Sequence, residues 1–151
     1  MIHCFSTPIG IIRLKGDGNV ITSLELGVEC DTLAVSSGEV FLCAERQILE
    51  YFEGKRRDFD IPYSLCSTEF QIDVWNAVRG IPYGSVMSYG EVARRANRPN
   101  AYRAVGSAMR VNPLPLIIPC HRVVSSGGIG GFRYGLEIKR RLLGIEGCDI
   151  R

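Results

Sequence analysis

The 151-residue sequence predicts an α/β N-terminal domain over residues 1–65, a small antiparallel sheet plus helix, followed by a mainly α C-terminal domain with a helix-turn-helix over residues 66–151. Three observations carry that prediction. Short apolar runs broken by Gly and Asp/Asn turn residues occupy the start of the chain. From Thr68 onward, apolar residues recur at helical spacing behind Ser/Thr capping positions. The charge also changes sign between the two parts: residues 1–65 carry six Lys/Arg against ten Asp/Glu, a net of −4, and residues 66–151 carry twelve against six, a net of +6.

Ile9 to Leu14 follows the turn-like Ser6-Thr7-Pro8. Gly16-Asp17-Gly18-Asn19 then separates it from Val20 to Leu26, so the two runs read as an antiparallel hairpin. Between Gly38 and Phe52 the apolar residues Val40, Phe41, Ala44, Ile48, Tyr51 and Phe52 fall at three- and four-residue intervals. That spacing predicts an amphipathic helix, and Gly54 suits its end. Lys55 to Ser67, with Pro62 and mixed charge, reads as the crossover to the second domain. His3, Cys4, Cys30 and Cys43 match no metal-ligand spacing, and no metal site is expected.

The second part opens with Thr68-Glu69-Phe70-Gln71, a capping box, and a helix through Trp75 and Val78 that stops near Gly80. Ile81-Pro82-Tyr83-Gly84 is a turn. Ser88-Tyr89-Gly90-Glu91 is a second capping box and starts a short helix through Ala96. Asn97-Arg98-Pro99-Asn100 breaks it, and Asn100 is placed to cap a further helix from Ala101 to Arg110. Two short helices across a tight polar break have the helix-turn-helix layout. The second is rich in small residues: Ala101, Ala104, Gly106, Ser107 and Ala108. A glycine inside a helix costs about 1 kcal/mol against alanine, so Gly106 implies a close approach. Either a neighbouring helix or nucleic acid fits, the latter favoured by Arg103 and Arg110.

Pro113 to Pro119 is apolar but too Pro-broken for a helix, and it delivers Cys120-His121-Arg122. Ser125 to Gly135 follows as a Gly-rich loop without a phosphate-loop pattern, so no nucleotide cofactor is expected. The last helix, Leu136 to Glu146, is expected to bury Leu136, Leu142 and Leu143 and to expose Lys139, Arg140 and Arg141. Glu146 faces the negative end of that helix dipole, which suggests a partner, and His121 is the natural one. A cysteine beside a histidine held by a carboxylate is how a thiol becomes a nucleophile. Cys120 is the candidate, and Cys4, Cys30, Cys43, Cys66 and Cys148 read as inert.

The six cysteines include no C-x-x-C pair, which favours a reduced compartment over a disulfide framework. The N-terminus lacks a signal-peptide pattern and no apolar run is long enough to span a membrane, so a cytoplasmic protein is expected. Eleven of the twelve basic residues of the second part are Arg, suited to phosphate and base recognition, although a solvated cationic surface explains the charge equally well.

Ile118-Pro119-Cys120-His121-Arg122-Val123 resembles the active-site signature of the O6-alkylguanine-DNA alkyltransferases. The resemblance runs through Trp75, Ile81-Pro82-Tyr83-Gly84, Ser88-Tyr89-Gly90, Arg103-Ala104-Val105-Gly106, Asn112-Pro113, Lys139, Leu142-Leu143 and Glu146. It covers residues 68–147; before residue 65 only Thr7-Pro8-Ile9-Gly10 is similar. It implies a ribonuclease-H-like N-terminal domain of supporting role, and a suicide repair reaction that needs no cofactor. Cys120 would take the alkyl group from guanine O6, with His121 as its base through a water and Glu146 holding His121. Asn112 would brace the loop from the recognition helix to the active site. The nucleotide would be flipped from the duplex and the recognition helix would enter the minor groove. There Ala101, Ala104, Gly106 and Arg110 would meet DNA, Arg103 would fill the vacated stack, and Ser125 would add a contact. Tyr89 would push the phosphate and donate to the flipped base. Backbone groups near Val123 and Arg133, with Tyr134, would form the base pocket.

Two departures stand out: Tyr134 where glycine is frequent, which should narrow the pocket and slow bulky O6-benzyl adducts, and Tyr102 where a small residue is common. The implied partner is double-stranded DNA carrying O6-alkylguanine, bound by a monomer, with cooperative clustering along the strand left open. Three rivals are an alkyltransferase-like protein that binds the lesion and recruits other factors, a Cys-His hydrolase, and a plain helix-turn-helix regulator. The first normally lacks the cysteine, the second needs an oxyanion hole, and the third leaves Cys120, His121 and Glu146 without a purpose.

Overall fold

The computed structural model describes residues 1–30 and 38–150. They form two compact units divided between Leu65 and Cys66. None of the described helices is long and apolar enough to cross a membrane.

The first unit is a three-stranded antiparallel sheet in the order β1 (Ile2–Thr7), β2 (Gly10–Gly16), β3 (Ile21–Val28), backed by helix α1 (Glu39–Phe52). The expected hairpin is there, but it is two-thirds of a sheet. Strand β1, not singled out from sequence, pairs along β2 from Ile2↔Lys15 to Thr7↔Gly10. The β2–β3 turn shows why its residues are chosen: the Asp17 carboxylate accepts from the Asn19 and Val20 amides at 2.9 and 3.1 Å. A Cβ on Gly16 would lie 2.2 Å from the Val20 carbonyl oxygen, so only glycine fits. One sheet face buries Phe5, Ile12, Leu14 and Leu24, and α1 buries Val40, Phe41, Ala44, Ile48 and Tyr51. The helix ends in a Schellman motif, with Gly54 at φ 75°, its amide on the Tyr51 carbonyl at 3.1 Å, and the Lys55 amide on Glu50 at 2.9 Å.

The second unit holds α2 (Glu69–Arg79), β4 (Met87–Ser88), α3 (Tyr89–Arg95), α4 (Tyr102–Arg110), a 3₁₀ turn (Cys120–Arg122), β5 (Val123–Val124) and α5 (Leu136–Ile145). Thr68 and Ser88 cap α2 and α3 as their spacing predicts, accepting from Gln71 N at 3.2 Å and Glu91 N at 3.1 Å. In the first box Gln71 turns its side chain to Ser67 instead of back to Thr68. Asn100 does not cap α4; Ala101 takes that position and no side chain caps it. The bend before it is made instead by Asn97 at φ 60°, with Arg98 N bonded to Ala93 O at 2.8 Å.

Trp75 ties α2 to α4 through a buried bond from Nε1 to the Ala108 carbonyl at 3.1 Å. Strand β4 runs parallel to β5, pairing Met87 with Val123 and Ser88 with Val124. This ladder sets the start of α3, and hence Tyr89, beside the segment that leaves Cys120.

The last helix differs from expectation at two residues. Leu136 is 37% exposed, because as the first residue of α5 it lies beyond the packed turns. Lys139, expected outside, is fully buried. It lies on the same helical stripe as Leu142, Leu143 and Glu146 (i, i+3, i+4, i+7), and that stripe faces inward.

Candidate active site

Cys120 is delivered by a loop whose two ends are tied by one side chain. Asn112, buried at the end of α4, donates from Nδ2 to the Ile118 carbonyl at 2.9 Å and accepts at Oδ1 from Leu114 N at 3.0 Å. The segment between is kept tight by Ile118 N on Leu114 O at 2.8 Å and Cys120 N on Ile118 O at 2.7 Å. Leu116 sits at φ 73°, a left-handed conformation that costs a leucine about 1–3 kcal/mol. Its burial, with Leu114 and Ile118, holds it there.

The Cys120 thiol is 5% exposed. Burial pushes its pKa up to about 11, opposed by hydrogen bonding from Asn112 and by the charge of Lys139. It lies in the wall of a cavity of about 840 Å³, shared with Tyr89, Arg103, Gly106, Ser125 and Arg133. The cavity is thus bounded by the start of α3, the exposed face of α4 and the Gly-rich loop.

His121 turns the other way, into the protein. Its Nε2 meets Glu146 Oε2 at 2.7 Å with both side chains buried. Arg122 grips the same carboxylate with two bonds, Nε to Oε1 at 2.8 Å and Nη2 to Oε2 at 3.1 Å, and places Nη1 on the Ile81 carbonyl at 2.8 Å. The Ile81-Pro82-Tyr83-Gly84 turn completes the cradle: Tyr83 donates to Ile145 O at 3.1 Å and Gly84 N to Glu146 Oε1 at 3.4 Å. A carboxylate paired bidentately with arginine can only accept, so His121 Nε2 carries the proton and the lone pair lies on Nδ1. Nδ1 makes no hydrogen bond to a described residue. Burial is the main reason His121 titrates below its ordinary 6.5, overcoming the pull of Glu146 in the other direction, so the imidazole is neutral at pH 7.

Lys139 anchors the Gly-rich loop. Its Nζ donates to the carbonyls of Val123, Ile129 and Gly131 at 2.6, 2.7 and 2.9 Å. Burial lowers its pKa to about 8, with Cys120 acting in the opposite direction. Only the ammonium form has a proton for each of the three carbonyls. Gly130, at φ 75°, fits because a Cβ there would come within 3.0 Å of both Tyr89 Oη and Ser125 N. The loop is therefore packed onto Tyr89, one wall of the cavity.

On α4, Val105, Ala108 and Met109 are buried, while Arg103, Ala104, Ser107 and Arg110 are exposed and Ala101 and Gly106 half-buried. Among the described residues, nothing beyond its own helix backbone and chain neighbours lies within 4 Å of a Cβ built on Gly106, so no described helix packs against that position. Arg103, Gly106 and Arg110 line the cavity; Ala101 and Ala104 do not.

The structure thus joins Asn112 to Cys120 and His121 to Glu146, and sets Tyr89, Ser125, Arg103 and Arg133 in the wall of the cavity that Cys120 shares. Two expected pocket residues are not in the lining of this cavity. Val123 is fully buried and offers its carbonyl to Lys139. Tyr134 is turned away: its ring packs edge-on against Phe132 at 5.8 Å and under the Arg133 guanidinium at 5.4 Å, outside the cavity lining. Arg122 and Lys139 were not assigned a site role from sequence; a basic residue on an apolar helical stripe was the available sign for Lys139.

A buried thiol in the wall of a cavity edged by exposed arginines, followed in the chain by a neutral histidine bound to a buried carboxylate, is the arrangement of a cysteine-dependent protein. Residues 69–148 match the family model of the 6-O-methylguanine DNA methyltransferase DNA-binding domain. The methylated-DNA–protein-cysteine methyltransferase of Methanosarcina acetivorans is 41% identical, covering 95% of this chain and 96% of its own. That of Mycobacterium leprae is 42% identical over 97% and 93%. A crystal structure of Mycobacterium tuberculosis OGT in complex with DNA superposes with a TM-score of 0.87 at 38% identity, covering 96% of this chain and 91% of that one. The chain belongs to the methylated-DNA–protein-cysteine methyltransferase family.

Proposed function

We propose that the protein repairs O6-alkylguanine, chiefly O6-methylguanine, in duplex DNA by moving the alkyl group irreversibly onto its own Cys120. The observation that carries this reading is the buried Cys120 thiol in the wall of a cavity shared with Tyr89, Arg103 and Ser125, followed in the chain by a neutral His121 whose Nε2 proton is committed to Glu146.

The Cys120 proton passes to His121 Nδ1 through a water. The sulfur attacks the alkyl carbon, forming the S–C bond as the C–O6 bond breaks, and the departing guanine, held by a hydrogen bond from the Tyr89 hydroxyl, takes up the proton that His121 received, relayed through water. The thioether has no leaving group at neutral pH, so each molecule acts once. Asn112 sets the thiol's position, and Glu146 with Arg122 keeps the imidazole in one tautomer.

In this reading α3 and α4 are a helix-turn-helix and the first unit is a ribonuclease-H-like support. The small exposed residues Ala101, Ala104 and Gly106 admit α4 to the minor groove. Arg103 replaces the flipped base, while Arg110 and Ser125 contact the strand. Arg133 meets the base by its backbone. The protein acts as a monomer in the cytoplasm. An alkyltransferase-like recognition role is disfavoured because the nucleophile is present and its base is assembled.

The test offers the protein an excess of duplex carrying one O6-methylguanine. Repaired guanine should plateau at one per protein molecule and be absent for Cys120→Ala. Tight binding without repair returns the recognition reading, and continued turnover sinks the suicide mechanism.

A further inference from the structure

Two cysteines of the first unit have no part in alkyl transfer. Cys4 lies in β1, in register with Arg13 of β2, which pairs with Glu25 of β3. Its neighbour His3 packs on Phe41 of α1, with ring centroids 5.9 Å apart, so strand alternation turns Cys4 to the sheet face away from the helix. Cys30 follows the end of β3 and returns over that face, where its Sγ lies 2.9 Å from the Cys4 Sγ. We propose that Cys4 and Cys30 form a thiol pair that closes to an intramolecular disulfide on exposure to hydrogen peroxide, stapling the chain after β3 onto β1.

The geometry asks for little movement: the sulfurs need only close from 2.9 Å to a bond of about 2.05 Å. Access divides the roles. Cys4 is 2% exposed, whereas Cys30 is half-buried and within reach of a small oxidant. The Cys30 sulfur attacks peroxide, breaking the O–O bond and releasing water as it becomes a sulfenic acid. The Cys4 sulfur then displaces that oxygen as a second water. Two thiols and one peroxide thus give one disulfide and two waters, the two sulfurs losing the two electrons that the peroxide oxygens gain. The Arg13 guanidinium lies close enough to both sulfurs for their charges to couple. Among the described residues no set of three His, Cys, Asp or Glu side chains stands ready to hold a metal. This inference does not depend on the alkyl-transfer reading.

The test treats the reduced full-length protein with hydrogen peroxide, then alkylates remaining thiols in denaturant and maps peptides without reductant. The protein should lose two hydrogens and two alkylation sites, yield a Cys4–Cys30 linked peptide, and revert with dithiothreitol. Cross-linking residues 26 apart should raise the melting temperature by about 5 °C or more. Cys30→Ser, at a half-buried site that tolerates the change, should abolish the linked species, and Cys66→Ser should leave it intact. An unchanged thiol count, a linkage to Cys43, Cys66 or Cys148, or a linked protein that melts no higher than the reduced one overturns the proposal.

Discussion

Burial and reactivity oppose each other at Cys120. With its pKa pushed up to about 11, the thiol is ionised on the order of one part in ten thousand at pH 7. It is therefore quiet toward stray electrophiles and depends on a base in place. In the proposed reaction that base is His121, whose pKa lies below 6.5. With Lys139 largely protonated at pH 7 and below, the rate of transfer should hold level from pH 7 down to 6.5 and fall only at more acid pH, as read by single-turnover kinetics; a fall that begins above 6.5 contradicts a neutral buried imidazole. Stability follows the same sign. Below 6.5 the unfolded histidine takes up a proton that the folded one resists, so the unfolded state binds more protons and stability drops as pH falls. At Tyr134 the sequence suggested a narrowed pocket, but the ring stands outside the cavity. Tyr134→Gly should leave the ratio of O6-benzyl to O6-methyl transfer rates within about twofold, and a large gain in benzyl transfer would restore the narrowed pocket.

At the scale of elements, two buried basic residues hold the site together. Glu146→Gln would set an amide against the Arg122 fork and leave that guanidinium buried without its counter-charge. It should destabilise the protein by about 3–5 kcal/mol in denaturant unfolding and slow transfer in the molecules that remain folded. Lys139→Met keeps the volume but leaves three loop carbonyls without their donor. A loss of about 3 kcal/mol and slower transfer are expected, and wild-type stability would show that the loop is held by other contacts. These elements also show what a sequence can convey. The capped starts of α2 and α3, the Gly54 stop of α1 and the Cys120–His121–Glu146 grouping were legible, because each is written in local spacing or in an electrostatically awkward residue. The Lys139 anchor was not read, since a lysine's charge was weighed above its place on the buried stripe. Asn100 failed as a cap because the bend is made at Asn97. Strand β1 was passed over because His3, Cys4 and Phe5 are all buried in succession, which hides the alternation that marks a strand.

For the whole molecule, the charge division maps onto the two units: the net positive half is the one holding the cavity and the exposed face of α4. Binding to duplex DNA should therefore weaken linearly in log salt, with Arg110→Ala reducing the slope by about one, as a phosphate contact would. An unchanged slope would remove Arg110 from the interface. In the proposed reaction Cys120 is a single-use alkyl acceptor. The most direct test of that role is intact mass followed by peptide mapping after mixing the protein with duplex carrying one O6-methylguanine. The account predicts a gain of one methyl group per molecule, located on the Cys120 sulfur and absent from Cys120→Ala. A methyl group on any other cysteine, or an unmodified protein beside repaired DNA, would contradict it.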